Sequence, residues 1–172
     1  MAKIDQATTS FAVYEDATEY QGIAEVTMPD INYITQTIEG AGISGTFDAV
    51  IVAFVQAMSM SMKFRTTSEN AAKLTEPRMH ALTLRSAQQY EDTVAGTIDV
   101  EPVKHVVRAM PKSLKLGTLK PASPTDASGE YAVHYWATYI DNKKVLEIDP
   151  KNFICVVNGV DYCEKIRKAL GK

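Results

Sequence analysis

Six residues in the first third of the chain carry the spacing of a phosphate-binding loop: Gly40-Ala41-Gly42-Ile43-Ser44-Gly45 reads G-x-G-x-x-G. A dinucleotide site needs more than the glycines. It needs a buried strand before them, a helix after them whose N-terminus meets the pyrophosphate, and an acid about twenty residues on for the ribose. None of the three is present. Tyr33–Glu39 alternates polar and apolar residues, whereas a central parallel strand is continuously apolar. Thr46–Val55 is β-branched and aromatic, a strand composition. The glycines therefore read as a turn joining two strands. Positive φ and close backbone approach would suit such a turn to packing against another subunit. Gly40, Gly42 and Gly45 are the candidate subunit-contact loop.

The other reactive side chains form no chemical constellation. His80, His105 and His134 are isolated, each on a predicted strand, and none has zinc-ligand spacing. They read as surface or packing residues. Ser44 lacks the G-x-S-x-G setting of a nucleophile elbow. Asp141, Glu147 and Asp149 lack the loop pattern of a calcium site and read as turn and strand-end residues. Cys155 and Cys163 are the only cysteines. Both read as free, small core or semi-buried groups in a reducing cytosol. No catalytic, cofactor or metal site is expected.

Strands must position these residues. Period-two alternation rich in Val, Ile, Thr, Tyr and Phe predicts strands at Ser10–Tyr14, Tyr20–Met28, Tyr33–Glu39, Met58–Phe64, Met79–Gln89, Val103–Met110, Glu130–Ile140, Lys144–Ile148 and Phe153–Val157. The cleanest alternation puts Met58, Met60, Met62 and Phe64 on one face. Glu15-Asp16-Ala17-Thr18 and Asp141-Asn142 read as hairpin turns. Trp136 is expected in a core strand, on the face opposite Val133, Tyr135, Ala137 and Tyr139. Gly117–Gly129 reads as an extended loop inside the domain.

Two helices are predicted. Ser68–Glu76 has Ser68 as N-cap and stops before Pro77. A terminal helix starts from Asp161 as N-cap, with Glu164 completing a capping box, and ends with Gly171 as its C′ residue. The expected fold class is mainly β: an antiparallel β-sandwich or barrel with one or two flanking α-helices, built as a single domain over residues 1–172.

Composition narrows the function classes. The chain has 172 residues, 45% hydrophobic and 23% charged, with a formal net charge of −3. It holds no apolar run long enough to cross a bilayer, and no basic-then-apolar start of the signal-peptide kind is expected. The charge is divided unevenly. Residues 1–62 hold eight acids and one base, and Ile4–Met62 has no Lys or Arg. Residues 102–125 hold Lys104, Arg108, Lys112, Lys115 and Lys120 without an acid. Solvated faces explain such a split; so does a subunit whose acidic part meets a basic part of its neighbour. Tight duplex binding is not expected from this balance.

Two segments carry a family resemblance. Glu147-Ile148-Asp149, Asn152-Phe153-Ile154 and Val156-Val157-Asn158-Gly159-Val160-Asp161 lead into a basic helix. Tyr20-Gln21-Gly22-Ile23-Ala24, Met28-Pro29, Gly40-Ala41-Gly42 and Gly45 precede them in order. In this the chain resembles the major tail tube proteins of myovirus-type contractile tails and R-type tailocins. The stretch Phe47–Leu119 fits mainly by strand pattern, and Ala49–Met62 departs from the family in being uncharged and apolar. The resemblance implies stacked hexameric rings whose β-sheets join between subunits into one barrel around a lumen. It implies a conduit for DNA or ions and a core for the sheath. The partners implied are the chain itself, the tail sheath protein, and baseplate and tail terminator proteins. DNA would pass without specific binding in a phage, and no membrane is involved. The location implied is a virion tail or tailocin particle assembled in the host cytoplasm.

Lys165, Arg167 and Lys168 on the terminal helix are the candidate sheath-facing residues. Acids of the first 62 residues are expected at the lumen or between rings. The alternatives are a tube-like or terminator component of another contractile injection system, or a small ligand-binding β-barrel.

Overall fold

In the computed structural model, which describes residues 3–16, 18–20 and 22–172, strands dominate. They run in order β1 (Lys3–Glu15), β2 (Thr18–Glu19), β3 (Ile23–Thr27), β4 (Tyr33–Ile38), β5 (Phe47–Val55) and β6 (Met58–Phe64), then helix α1 (Glu69–Lys73). After it come β7 (His80–Asp92), β8 (Thr97–Lys115), β9 (Ala127–Ile140), β10 (Lys143–Asp149), β11 (Ile154–Val157), β12 (Val160–Asp161) and helix α2 (Glu164–Ala169). The main sheet follows the order β12-β11-β10-β9-β8-β7-β1-β2. It forks at β9. The C-terminal half of β9 pairs with β10 and its N-terminal half with β6, which in turn pairs with β3. All these pairings are antiparallel, so the expected mainly-β, antiparallel class with small helices holds. A separate two-stranded sheet, β4-β5, carries the glycine turn at its tip.

The core lies inside the fork. Met58, Met60, Met62 and Phe64 of β6 are buried there, as their alternation predicts, with Leu82 and Leu84 of β7, Val107 of β8, Tyr131 and Trp136 of β9 and Ile148 of β10. Each such side chain contributes roughly 1.5–3 kcal/mol of burial free energy. One expectation fails in β9. Trp136 shares the core with Val133 instead of opposing it. Arg108 pairs with Tyr135 and Ala109 with Val133, so His134 is an extra residue that reverses the alternation. A bulge of this kind is invisible to a strict period of two.

Three strands are longer than their sequence signal. β1 begins at Lys3, β7 continues to Asp92, and β8 runs from Thr97 to Lys115. Their outer halves extend past the core, where side chains on both faces meet solvent, so no burial alternation marks them. Pro102 is tolerated in β8 because at that position the strand pairs with β7 alone. Ala17, in the first predicted turn, and Gln21, in the second predicted strand, lie outside the described residues.

The caps separate one correct reading from one incorrect one. Ser68 caps α1 as expected, its Oγ accepting from the Ala71 N–H at 3.2 Å. Asp161 does not cap α2: it lies in β12, and Cys163 stands at the N-cap with no side-chain cap bond. The Asp161 carboxylate accepts from the Cys163 N–H and from the Arg167 guanidinium, which holds it in a turn before the helix. Glu164 pairs forward with Lys168 at 2.6 Å instead of reaching back to form a capping box. Gly171, at φ +69°, ends the helix as predicted. Asp141 and Asn142, at φ +46° and +61°, form the tight β9-β10 turn that their residue types suggest. The loop before β9 is shorter than predicted, because Ala127 already pairs with Phe64.

Candidate subunit-contact surfaces

The β4-β5 ribbon is an arm. Ile38 pairs with Phe47, and the six-residue glycine motif lies in the turn between them. Gly40, Gly42 and Gly45 have φ of +143°, +93° and +131°, with open space where a Cβ would stand. All three are exposed, and the loop is held by an Ile43 N–H to Gly40 carbonyl bond. The base is closed by the Gln56 N–H donating to the Asn32 carbonyl at 2.7 Å.

Between tip and base the register jumps: Thr35 pairs with Val50, but Tyr33 pairs with Val55. The additional β5 residues form a bulge with Ala53 at φ +57°. It turns Val52 and Phe54 outward, each more than half exposed. Among the described residues β5 pairs with β4 only, so its other edge is open. A two-stranded ribbon is marginal alone, and an open apolar edge is a template for pairing. The base of the arm lies beside β11 and α2 without filling the space. A depression of about 330 Å3 opens between Val52 and Phe54 on one side and Ile148, Phe153 and Ile166 on the other. In a neighbouring depression lined by Val50, Val52 and Tyr162, the Tyr33 hydroxyl lies 4.0 Å from the Cys155 sulfur. Burial, with that thiol beside it, pushes the phenol above its usual range.

The opposite face of the main sheet has a different chemistry. Register places Arg85 beside Lys104, Lys104 beside Tyr139, and Tyr139 beside Lys144. Arg108 stands beside Tyr135. Lys104 sits 4.6 Å and Lys144 5.8 Å from the centre of the Tyr139 ring. Arg85 covers Tyr14 at 5.3 Å and Arg108 covers Tyr135 at 5.7 Å. Cation-on-ring contacts of this sort hold the side chains flat and leave their charge exposed. Lys144 also meets Glu147, which accepts from the Tyr135 hydroxyl at 2.8 Å. Lys104 and Arg108 belong to the basic stretch 102–125, whereas Arg85 and Lys144 lie outside it; the strand register collects the four on one face.

The candidate residues of α2 divide. Lys165 is exposed, and Lys168 is exposed while paired with Glu164. Arg167 folds back: it donates to the Phe153 carbonyl at 2.6 Å and to Asp161. The guanidinium bond holds the Asp161 carboxyl below its ordinary range.

A buried polar cluster, not anticipated from the sequence, fixes the other end of β1. Glu15 and His80 are both buried, and Glu15 also takes bonds from Tyr20 and Arg78. The only sequence signal was an acid opening a predicted turn and a histidine second in a predicted strand. Cys155 and Cys163 are buried and free, as expected. Asp149 caps its own turn by accepting from the Lys151 and Asn152 N–H groups.

The model of the family described as phage tail tube protein FII matches residues 5–171. The tail tube protein of Escherichia phage P2 is 28% identical over 163 residues, covering 92% of this chain and 93% of that one. Among solved structures, the sheath/tube terminator of an extracellular contractile injection system in its extended state superposes with a TM-score of 0.53. It shares 13% identity and covers 76% of this chain and 94% of that chain, a likeness of fold.

Proposed function

This chain belongs to the phage tail tube protein FII family, and on that premise we propose that it forms stacked hexameric rings as the inner tube of a contractile phage tail or tailocin. Its role in the tail tube is structural. The single domain spans residues 1–172, and sheets join between neighbouring subunits into a barrel around the lumen. The tube is the core on which the sheath assembles and ends at baseplate and terminator proteins. DNA slides through in a phage, ions in a tailocin, without specific binding or a membrane contact. Assembly takes place in the host cytoplasm.

The observation that supports this reading is the β5 strand. Nine residues, Phe47–Val55, lie on a ribbon with one unpaired edge and with Val50, Val52 and Phe54 turned to solvent. A monomer gains nothing from this exposure, whereas a ring or stack covers it. The glycine tip of the same ribbon, Gly40–Gly45, then touches a neighbouring subunit. Lys165 and Lys168 of α2 face the sheath, with Arg167 setting the pitch of the helix through Asp161.

Negative-stain microscopy of the purified chain tests the proposal. Long hollow tubes are expected. Single rings that never stack would favour a terminator-like role, and a monomer at every concentration would favour a ligand-binding barrel.

A further inference from the structure

The arm and the cation-tyrosine face are complementary, and one chain cannot bring them together. The arm and the loop before it carry Asp30, Glu39 and Asp48. Among the described residues, none of the three has a cation within 4 Å. Asp48 accepts from Thr37, its cross-strand neighbour, at 2.7 Å. The sheet face carries Arg85, Lys104 and Arg108, and among the described residues none of these has a carboxylate within 4 Å. Each rests on a tyrosine ring instead. Apolar character matches as well. The arm offers Phe47, Val50 and Phe54, and the face offers the rings of Tyr14, Tyr135 and Tyr139 between its charges. The base of the arm lies beside Ile148, whose side chain is on the core side of the sheet, away from that face.

We propose that the β4-β5 arm of one copy docks across the Arg85-Lys104-Arg108 face of the next copy, with Glu39 and Asp48 against those cations. The occupant is a second copy of this chain, because the same sequence supplies a basic-residue-free stretch from Ile4 to Met62 and an unpaired basic face. The two surfaces differ, so the contact is head-to-tail and propagates from copy to copy instead of closing on a two-fold axis. Charge sets partner and orientation, and the exposed aromatic and aliphatic side chains supply the buried area. The inference rests on the tube reading for its biological setting but concerns a contact that is measured directly.

The test uses full-length chains and their self-association, followed by sedimentation and negative-stain microscopy in about 50 mM and 300 mM salt. An arm variant carries Glu39→Lys and Asp48→Lys, and a face variant carries Lys104→Glu and Arg108→Glu. Circular dichroism melts confirm that each folds. Each variant alone is expected to associate about tenfold more weakly than the parent, more so at low salt, where screening is least. Mixing the two variants, or joining all four changes in one chain, restores association, because opposite charges again face each other.

If folded arm and face variants associate as the parent does, or the four-fold variant is not rescued, the proposal is overturned. If the parent forms tubes that the reversals leave intact, the docking inference alone fails. Finite head-to-tail oligomers that the reversals abolish would support the docking and remove the tube. A face variant that keeps parental assembly but loses salt-dependent retention of a DNA duplex would assign the face to nucleic acid and overturn the proposal.

Discussion

The Glu15 carboxylate meets His80 Nδ1 at 2.9 Å, with the histidine fully sealed from solvent and the acid nearly so. The pair joins the last residue of β1 to the first of β7, at the buried end of both strands. The Tyr20 hydroxyl donates to the same carboxylate at 2.5 Å, and Arg78 donates two further bonds. His80 Nε2 meets the Glu76 carbonyl at 3.1 Å, so both ring nitrogens face oxygen atoms. Buried charge is costly unless every lone pair is served, and here the carboxylate is served from three directions.

That cluster makes stability depend on pH with a definite sign. Burial pushes the Glu15 carboxyl up, but the hydrogen bonds from Tyr20, Arg78 and His80 together outweigh it and hold the group below its ordinary value of 4.5. The stabilisation is therefore complete above about pH 4.5 and is lost as pH falls through the depressed folded value. Glu15→Gln leaves the Arg78 guanidinium without its counter-charge and His80 without its carboxylate partner, and is expected to cost about 3 kcal/mol at pH 7. Melting curves between pH 7 and pH 3 check this. The variant should melt lower at neutral pH, with the gap narrowing in acid; a gap constant across the range would refute the assignment.

A second prediction concerns Tyr131 and Gly129. The Tyr131 side chain is fully buried, and its hydroxyl has no hydrogen-bond partner among the described residues. Burial pushes this phenol up to about 12. Removing the unsatisfied hydroxyl by Tyr131→Phe should leave stability unchanged or raise it by about 1 kcal/mol. The ring also lies over Gly129, where an added Cβ would stand 2.7 Å from the hydroxyl and 2.9 Å from a ring carbon. Gly129→Ala should therefore lower stability by roughly 1–3 kcal/mol through forced repacking. Urea midpoints of the two variants decide both signs.

The bulge in β5 turns on Ala53. Its φ of +57° is a backbone conformation that costs a β-branched residue most. Ala53→Val should straighten or loosen the arm while leaving the melting temperature of the core nearly unchanged. Amide hydrogen exchange across Tyr33–Val55 reads this locally: protection should fall there and hold in β7 and β8. Uniform loss across the protein would show that the arm is not an independent unit.

On α2, Lys165→Glu with Lys168→Glu should weaken sheath assembly on preformed tubes and leave tube formation intact. Arg167→Ala should behave differently. It removes the bond to Asp161 and the one to the Phe153 carbonyl, so its first effect is a lower melting temperature. Co-sedimentation of sheath with tubes separates the two outcomes.

How far the sequence reaches can be seen residue by residue. The Met58–Phe64 strand was legible because one face is buried and the other is not, so burial writes itself into alternation. Ser68, Gly171 and the Asp141-Asn142 turn were legible because caps and tight turns depend on local backbone geometry. The two segments Tyr20–Gly45 and Glu147–Gly171 carry the family resemblance. By themselves, then, the residues determined the antiparallel class, the core strand, the Asp141-Asn142 turn and the kinship.

Tertiary structure decided the rest, because the rest depends on pairings between residues far apart in the chain. One extra residue at His134 reversed the faces of β9 and brought Trp136 to the side of Val133. The outer halves of β1, β7 and β8 have no buried side to imprint a pattern. Glu15 and His80 are sixty-five positions apart and become partners only through strand register. The same register gathered Arg85, Lys104 and Arg108 from two strands into a cation-tyrosine face and left the acid-bearing arm beside the other side of the sheet. Charge along a sequence is one-dimensional, and which charges share a surface is fixed only when the strands are paired.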